Sequence, residues 1–265
     1  MNIFKREMKA NRKALILWCI GILFMIAAGM GKYAGFQASG QSMDELMNLF
    51  PKEMLSIFGI GALGMGTITS FYAIVYLCVV LMATIHAGML GAGIIAKEER
   101  DKTSEFLYVK PVSRSSIITS KVLAAIVNVV IINLVSLATS IAVVGKINKG
   151  EDFTGDILLM TAAMFILQIL FLFIGTGLAA LSRKPRSAAS RVSAIILAAY
   201  ILDVVINMNE KLGWLTFISP FKYFDAESVM ISHKLDFPYV LLSMAIILIF
   251  SFVTYVFYKK KDLSI

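Results

Sequence analysis

Six apolar runs set the limits on what this chain can fold into. They cover residues 15–33, 67–96, 122–144, 157–181, 192–208 and 238–258. Roughly 17–25 apolar residues in helical form cross the hydrocarbon core of a bilayer. No water reaches the lipid interior to satisfy backbone N–H and C=O groups, so runs of this kind are stable there as helices. The expectation is an all-α polytopic membrane protein with six transmembrane helices, read as a single transmembrane domain over residues 1–265. Only 16% of the side chains are charged and mean hydropathy is +0.81. That leaves too little polar surface for a soluble globule of this length.

The charge that remains is placed by topology. A net charge of +8 would suit nucleic acid, but the basic residues lie in short tracts beside the apolar runs, so no nucleic-acid partner is expected. With the N-terminus inside, 18 Lys and Arg fall on the cytoplasmic side and 7 outside. The positive-inside rule then makes both termini cytoplasmic. Cys19 and Cys78 sit inside apolar runs, which argues against a disulfide framework, and two cysteines make no metal site.

Residues 1–14 carry Lys5, Arg6, Lys9, Arg12 and Lys13 against the single acid Glu7, and read as a short amphipathic helix on the cytoplasmic membrane surface. The run after it is long for a signal h-region and reads as the first span. Ala27, Gly31 and Gly35 recur every fourth residue, as do Ala83, Ala87 and Gly91 with Gly88 and Ala92 beside them; both stripes suit close helix packing. Ser42 and Glu45 form a capping box for a short outer helix. Gly175-Thr176-Gly177 is a weak point in the fourth run. Residues 209–237, with Trp214, Pro220, Phe221, Tyr223 and Phe224, suit an outer interfacial or re-entrant pair of short helices.

Polar residues inside the runs are few. His86, Asn128, Asn133 and Asp203 are the candidates for a transport path, and Asp203 is the one acid within the spans as drawn. Such groups are expensive in lipid, so each needs a partner or a wet cavity. Packing and interhelical hydrogen bonding are the competing roles.

Between the second and third runs lies a polar island, residues 97–121. Asp101 is placed to cap a short helix bearing Glu105, Phe106 and Leu107, which Pro111 stops. Ser113 then caps the helix that carries Arg114 and Lys121 into the next run. Helix, break, helix makes an elbow. Glu98, Glu99, Thr103, Glu105, Leu107, Pro111, Val112, Ser113, Arg114 and Lys121 resemble the cytoplasmic elbow of ABC transporter permeases of the type-2 exporter class. Asp101 and Lys102 depart from that pattern, where a small residue usually precedes the Thr, and so does Tyr108, where a second Leu is common. The first outer loop and the Ser-Pro-Phe-x-Tyr-Phe segment before the last run resemble the same class.

The resemblance implies that the elbow is a coupling helix seated on a separate ABC ATPase. Glu98, Glu99, Thr103, Glu105, Phe106, Leu107, Pro111 and Arg114 would be the ATPase-coupling residues. It further implies two ATPase copies, a second permease chain, identical or related, and a bacterial inner or plasma membrane. ATP and Mg would belong to the ATPase, because this chain has no G-x-x-x-x-G-K-[ST] loop and no other catalytic or metal motif. The function implied is ATP-driven export of an amphipathic substrate, with peptide antibiotics, lipids and drugs as the classes in view. An ion-coupled carrier or small channel working without an ATPase, along His86, Asn128, Asn133 and Asp203, is the alternative.

Overall fold

The computed structural model describes residues 3–39, 67–102, 112–148, 153–182 and 187–260. Six long helices in it are apolar enough to cross a membrane: α1 (Ile3–Ser39), α2 (Ile68–Arg100), α3 (Arg114–Ile147), α4 (Thr154–Leu181), α5 (Ala188–Met208) and α7 (Phe237–Lys260), with the short α6 (Ala226–Ser232) before the last. The fold is all-α. Local sequence explains several of the ends. Thr67 and Ser113 hold extended backbone, and their side chains accept from the N–H groups of Ser70 and Ser116, each at 3.2 Å. Both are N-caps of the kind that satisfy an orphan donor of the first turn.

The helices run alternately up and down. At the end of the bundle that carries the N-terminus, Arg114 donates to the Lys259 carbonyl at 2.8 Å. At the opposite end Tyr72 of α2 packs edge-on against Phe153 beside α4, and His233 meets Asp156 at 2.6 Å. α2 packs on α1, α3, α4 and α5, whereas α7 leans mainly on α4. In the most apolar stretch of each helix, 61% of α4 and 50% of α2 residues are buried, against 17% for α7. α2 and α4 are thus the interior pair. The outward faces, such as Leu17 and Phe24 on α1 or Leu248 and Phe252 on α7, are left for lipid.

Small residues let that pair close. A Cβ on Gly91 would lie 2.2 Å from the Leu172 carbonyl oxygen, and one on Gly175 would lie 2.4 Å from the Gly88 carbonyl oxygen. No side chain fits there. Backbone contact of this kind replaces the hydrophobic drive that lipid removes. The stripe at Ala83, Ala87 and Gly91 is used as its spacing suggests, all three being buried. Among the described residues that at Gly31 and Gly35 is not: a Cβ on either meets none of their atoms within 4 Å, because α1 turns its Ile22, Ile26, Met30 and Tyr33 face inward.

Two local expectations change. Residues 3–14 are no separate surface helix but the first turns of α1, since nothing between Ile3 and Leu15 breaks the helix. Gly175-Thr176-Gly177 leaves α4 unbroken; Thr176 bonds the Phe173 carbonyl and the Thr254 hydroxyl, each at 2.9 Å. Asp101 closes α2, its N–H bonding the Lys97 carbonyl at 2.9 Å, and Lys102 follows at φ 55°; the short helix expected beyond them lies outside the described residues. The capping box at Ser42 and Glu45 lies outside the described residues.

Candidate functional site

The densest polar chemistry sits where α1, α2 and α3 meet at the end carrying the N-terminus. Continuous helix geometry brings Arg6 and Glu7 of α1 against Lys97 and Glu98 in the last turn of α2. Lys121 enters from α3, two turns past the Ser113 cap. The Arg6 guanidinium bridges Glu7 Oε1 at 2.9 Å and Glu98 Oε1 at 3.0 Å. Lys97 Nζ pairs with Glu7 Oε2 at 3.1 Å. Lys121 Nζ donates to the Ile94 carbonyl at 2.6 Å and to Glu98 Oε2.

Burial makes these contacts consequential. Glu7 and Lys121 are 0% exposed and Glu98 is 5% exposed. Exposed ion pairs contribute about 0–1 kcal/mol. Stripping one partner from a buried pair costs about 3–5 kcal/mol, because the other charge is left uncompensated. Both oxygens of each carboxylate are engaged, and the Arg6 fork touches both carboxylates, a geometry lysine could not reproduce. The root of the polar island is therefore locked to the N-terminal helix. At the margin, Arg100 Nε donates to Asp101 at 3.0 Å and holds that carboxyl below the usual carboxylate range.

Among the residues expected to couple to a partner, Glu98 thus faces inward, Glu99 is half-buried and Arg114 reaches Lys259. Thr103, Glu105, Phe106, Leu107 and Pro111 lie outside the described residues. The sequence reading did not foresee the Glu7, Glu98 and Lys121 junction. One signal was present: Glu7 is the lone acid in the basic tract 1–14.

The four intramembrane candidates do not converge. His86 packs on Trp18 of α1, ring centroids 5.2 Å apart. Asn128 donates to the Ala124 carbonyl at 2.7 Å and to Met8 Sδ at 3.3 Å. Asn133 bonds Gln168 across the α3–α4 interface, so these two asparagines act as packing groups on different neighbours. Asp203 lies far along α5, beside a small cavity shared with Asn207, Asp225, Phe221 and Tyr76, and its Oδ1 has no hydrogen-bond partner among the described residues. Lys222 ties two residues of that lining together, 2.5 Å from Asn207 Oδ1 and 3.6 Å from Asp225.

That cavity is roofed by the segment before α7. Two short 3-10 helices, Glu210–Phe217 and Lys222–Phe224, precede α6, in the segment where short helices were expected. Phe221 packs on Phe171 and Tyr200, each at 5.7 Å, and Tyr223 stacks on Tyr239 at 5.1 Å. Ser219 donates to the Ala199 carbonyl at 2.9 Å, while Trp214 stays 67% exposed.

Set beside known proteins, the chain matches the family model described as ABC-2 family transporter protein over residues 1–263. No curated protein matches it.

Proposed function

The chain belongs to the ABC-2 transporter family of membrane-embedded ABC permeases, and from that premise we propose that it couples ATP hydrolysis by a separate ATPase to export of an amphipathic substrate. The observation that carries the reading is the family match across almost the whole chain, residues 1–263, on a bundle of six spans. The polar island 97–121 is the docking elbow for the ATPase, through Glu99, Thr103, Glu105, Phe106, Leu107, Pro111 and Arg114. ATP and Mg belong to that ATPase. Two permease chains and two ATPase chains form the working unit, since a closed two-fold assembly is the economical arrangement for identical chains. Both termini face the cytoplasm of a bacterial inner membrane.

The ion-pair junction supports this reading and gives the elbow a mechanical role. Force applied to a free loop would be lost in the loop. Force applied beside Glu98 enters α2, α3 and α1 together, because Arg6, Lys97 and Lys121 tie the three roots through buried charges. Closure of the ATPase pair then shifts these helices against α4, α5 and α7. The carrier alternative draws less support, because His86, Asn128, Asn133 and Asp203 occupy separate places in the bundle.

Co-purification from mild detergent tests the proposal. The wild-type chain brings down an ABC ATPase, and the Glu105→Ala, Phe106→Ala double variant loses it while still inserting in the membrane. A folded wild-type chain that brings down no ATPase would end the exporter reading.

A further inference from the structure

On the membrane-side flank of the junction a groove of about 360 Å³ opens between α1 and α2. That is within the size range of small-ligand pockets. Its floor is Ala14, Trp18, Met89, Leu90 and Gly93, and its rim toward the N-terminal end holds Asn11, Lys97 and Arg100. From Lys97 to His86 the groove follows α2 for about three turns, roughly 16 Å at the helical rise of about 1.5 Å per residue. The groove is thus charged at one end and apolar along its length.

Two features point to one occupant. First, the acid on the rim, Glu7, is engaged by Arg6 and Lys97, and Arg100, its side chain 47% exposed, is paired with Asp101 at 3.0 Å. Lys9, Arg12 and Lys13 stand exposed on the neighbouring turns of α1, so cations outnumber acids around the mouth. The mouth therefore favours an anion, and basic pockets at helix ends hold lipid headgroups in this way. Second, the groove adjoins the exposed Leu17 and Ile20 of α1 and the 42% exposed Met89, the surface left for lipid chains.

We infer that the α1–α2 groove holds one anionic phospholipid of the leaflet that meets the N-terminus, with its headgroup at Arg100 and Lys97 and an acyl chain along Leu90 and Met89. This site needs neither an ATPase nor a particular cargo, so it stands apart from the exporter reading. A bound lipid there braces the outer side of the ion-pair junction.

Native mass spectrometry of the full chain, titrated with phosphatidylglycerol or phosphatidylcholine in mild detergent, tests the site. The wild type retains one phosphatidylglycerol in preference to phosphatidylcholine. Gly93→Leu plugs the groove without an internal clash, since a Cβ on Gly93 meets nothing within 4 Å, and it weakens retention about tenfold or more, a change of about 1.4 kcal/mol. Its unfolding temperature without added lipid matches the wild type; should it fail to fold, Ala14→Leu on the facing wall serves as the plug. Arg100→Gln abolishes the preference for the anionic headgroup but still retains phosphatidylcholine. Equal retention of the two lipids by the wild type would overturn the inference. So would full retention by the plugged variant, or complete displacement by soluble glycerol phosphate, which would mark a free-anion site.

Discussion

The two ends of the bundle are held by different physics. At the N-terminal end, buried charges on α1, α2 and α3 meet in one network in which each carboxylate oxygen has a cation. At the opposite end, aromatic rings of the segment 209–237 pack on α4, α5 and α7, with the Ser219 hydrogen bond and two isolated contacts, Lys222 to Asp225 and His233 to Asp156, beside them. Charge pairing is sensitive to the loss of any member, and it fixes the relative positions of three helices. Aromatic packing tolerates substitution and local shifts. The first arrangement suits the transmission of force, and the second suits a cap that yields.

The largest test of this contrast is Glu98→Ala. It leaves Lys121 buried without its carboxylate and destabilises by about 3–5 kcal/mol, measured by reversible unfolding in detergent. Adding Lys121→Met should recover most of that loss, because an apolar side chain of similar volume removes the stranded charge. A Glu98→Ala variant as stable as wild type would break the contrast.

Next in size is Gly175→Val, which sits between the two ends. A Cβ there meets the Gly88 carbonyl oxygen at 2.4 Å, so α2 and α4 must separate at a cost of about 1–3 kcal/mol. The same unfolding assay reads it. At the aromatic end, Phe221→Leu keeps most of the buried volume and should cost less than about 1.5 kcal/mol. Increased hydrogen exchange confined to 209–232 would sharpen the comparison, and exchange spreading into α2 would blunt it. Smallest is His233→Gly. The residue sits at φ 51°, which glycine adopts without strain, while the contact to Asp156 is exposed and weak. A thermal shift equivalent to less than about 0.5 kcal/mol is expected.

Much of this was legible in the sequence because lipid leaves few choices. An apolar run of sufficient length must be a helix, so the number and order of spans followed from hydropathy. Ser113 announced its own cap, and the Ala83, Ala87 and Gly91 stripe announced a close crossing. Its neighbour at Gly31 and Gly35 shows the limit: spacing marks a face that can pack closely, but only the other helices decide whether one arrives. The junction was illegible for a related reason. Arg6 and Glu98 lie 92 positions apart, and a basic tract with one acid reads as a topology signal until the acid is found buried. Asp203 was singled out correctly as an exceptional group, yet its neighbours Asn207 and Asp225 come from the turn of a helix and from a distant cap, which local pattern does not join.

The most direct test of the central claim, that α1, α2 and α3 share one rigid root, is a pair of electron-spin distances measured with the proposed ATPase partner present. Labels at the exposed Arg12 of α1 and Ser116 of α3 report the root, and labels at Ser116 and the exposed Lys234 report its movement against the opposite end. On adding ATP and trapping the closed state, the first distance should hold while the second shifts. A nucleotide-dependent change in the Arg12–Ser116 distance would mean that α1 slides past α3, and the junction could not be the element that carries force into the bundle.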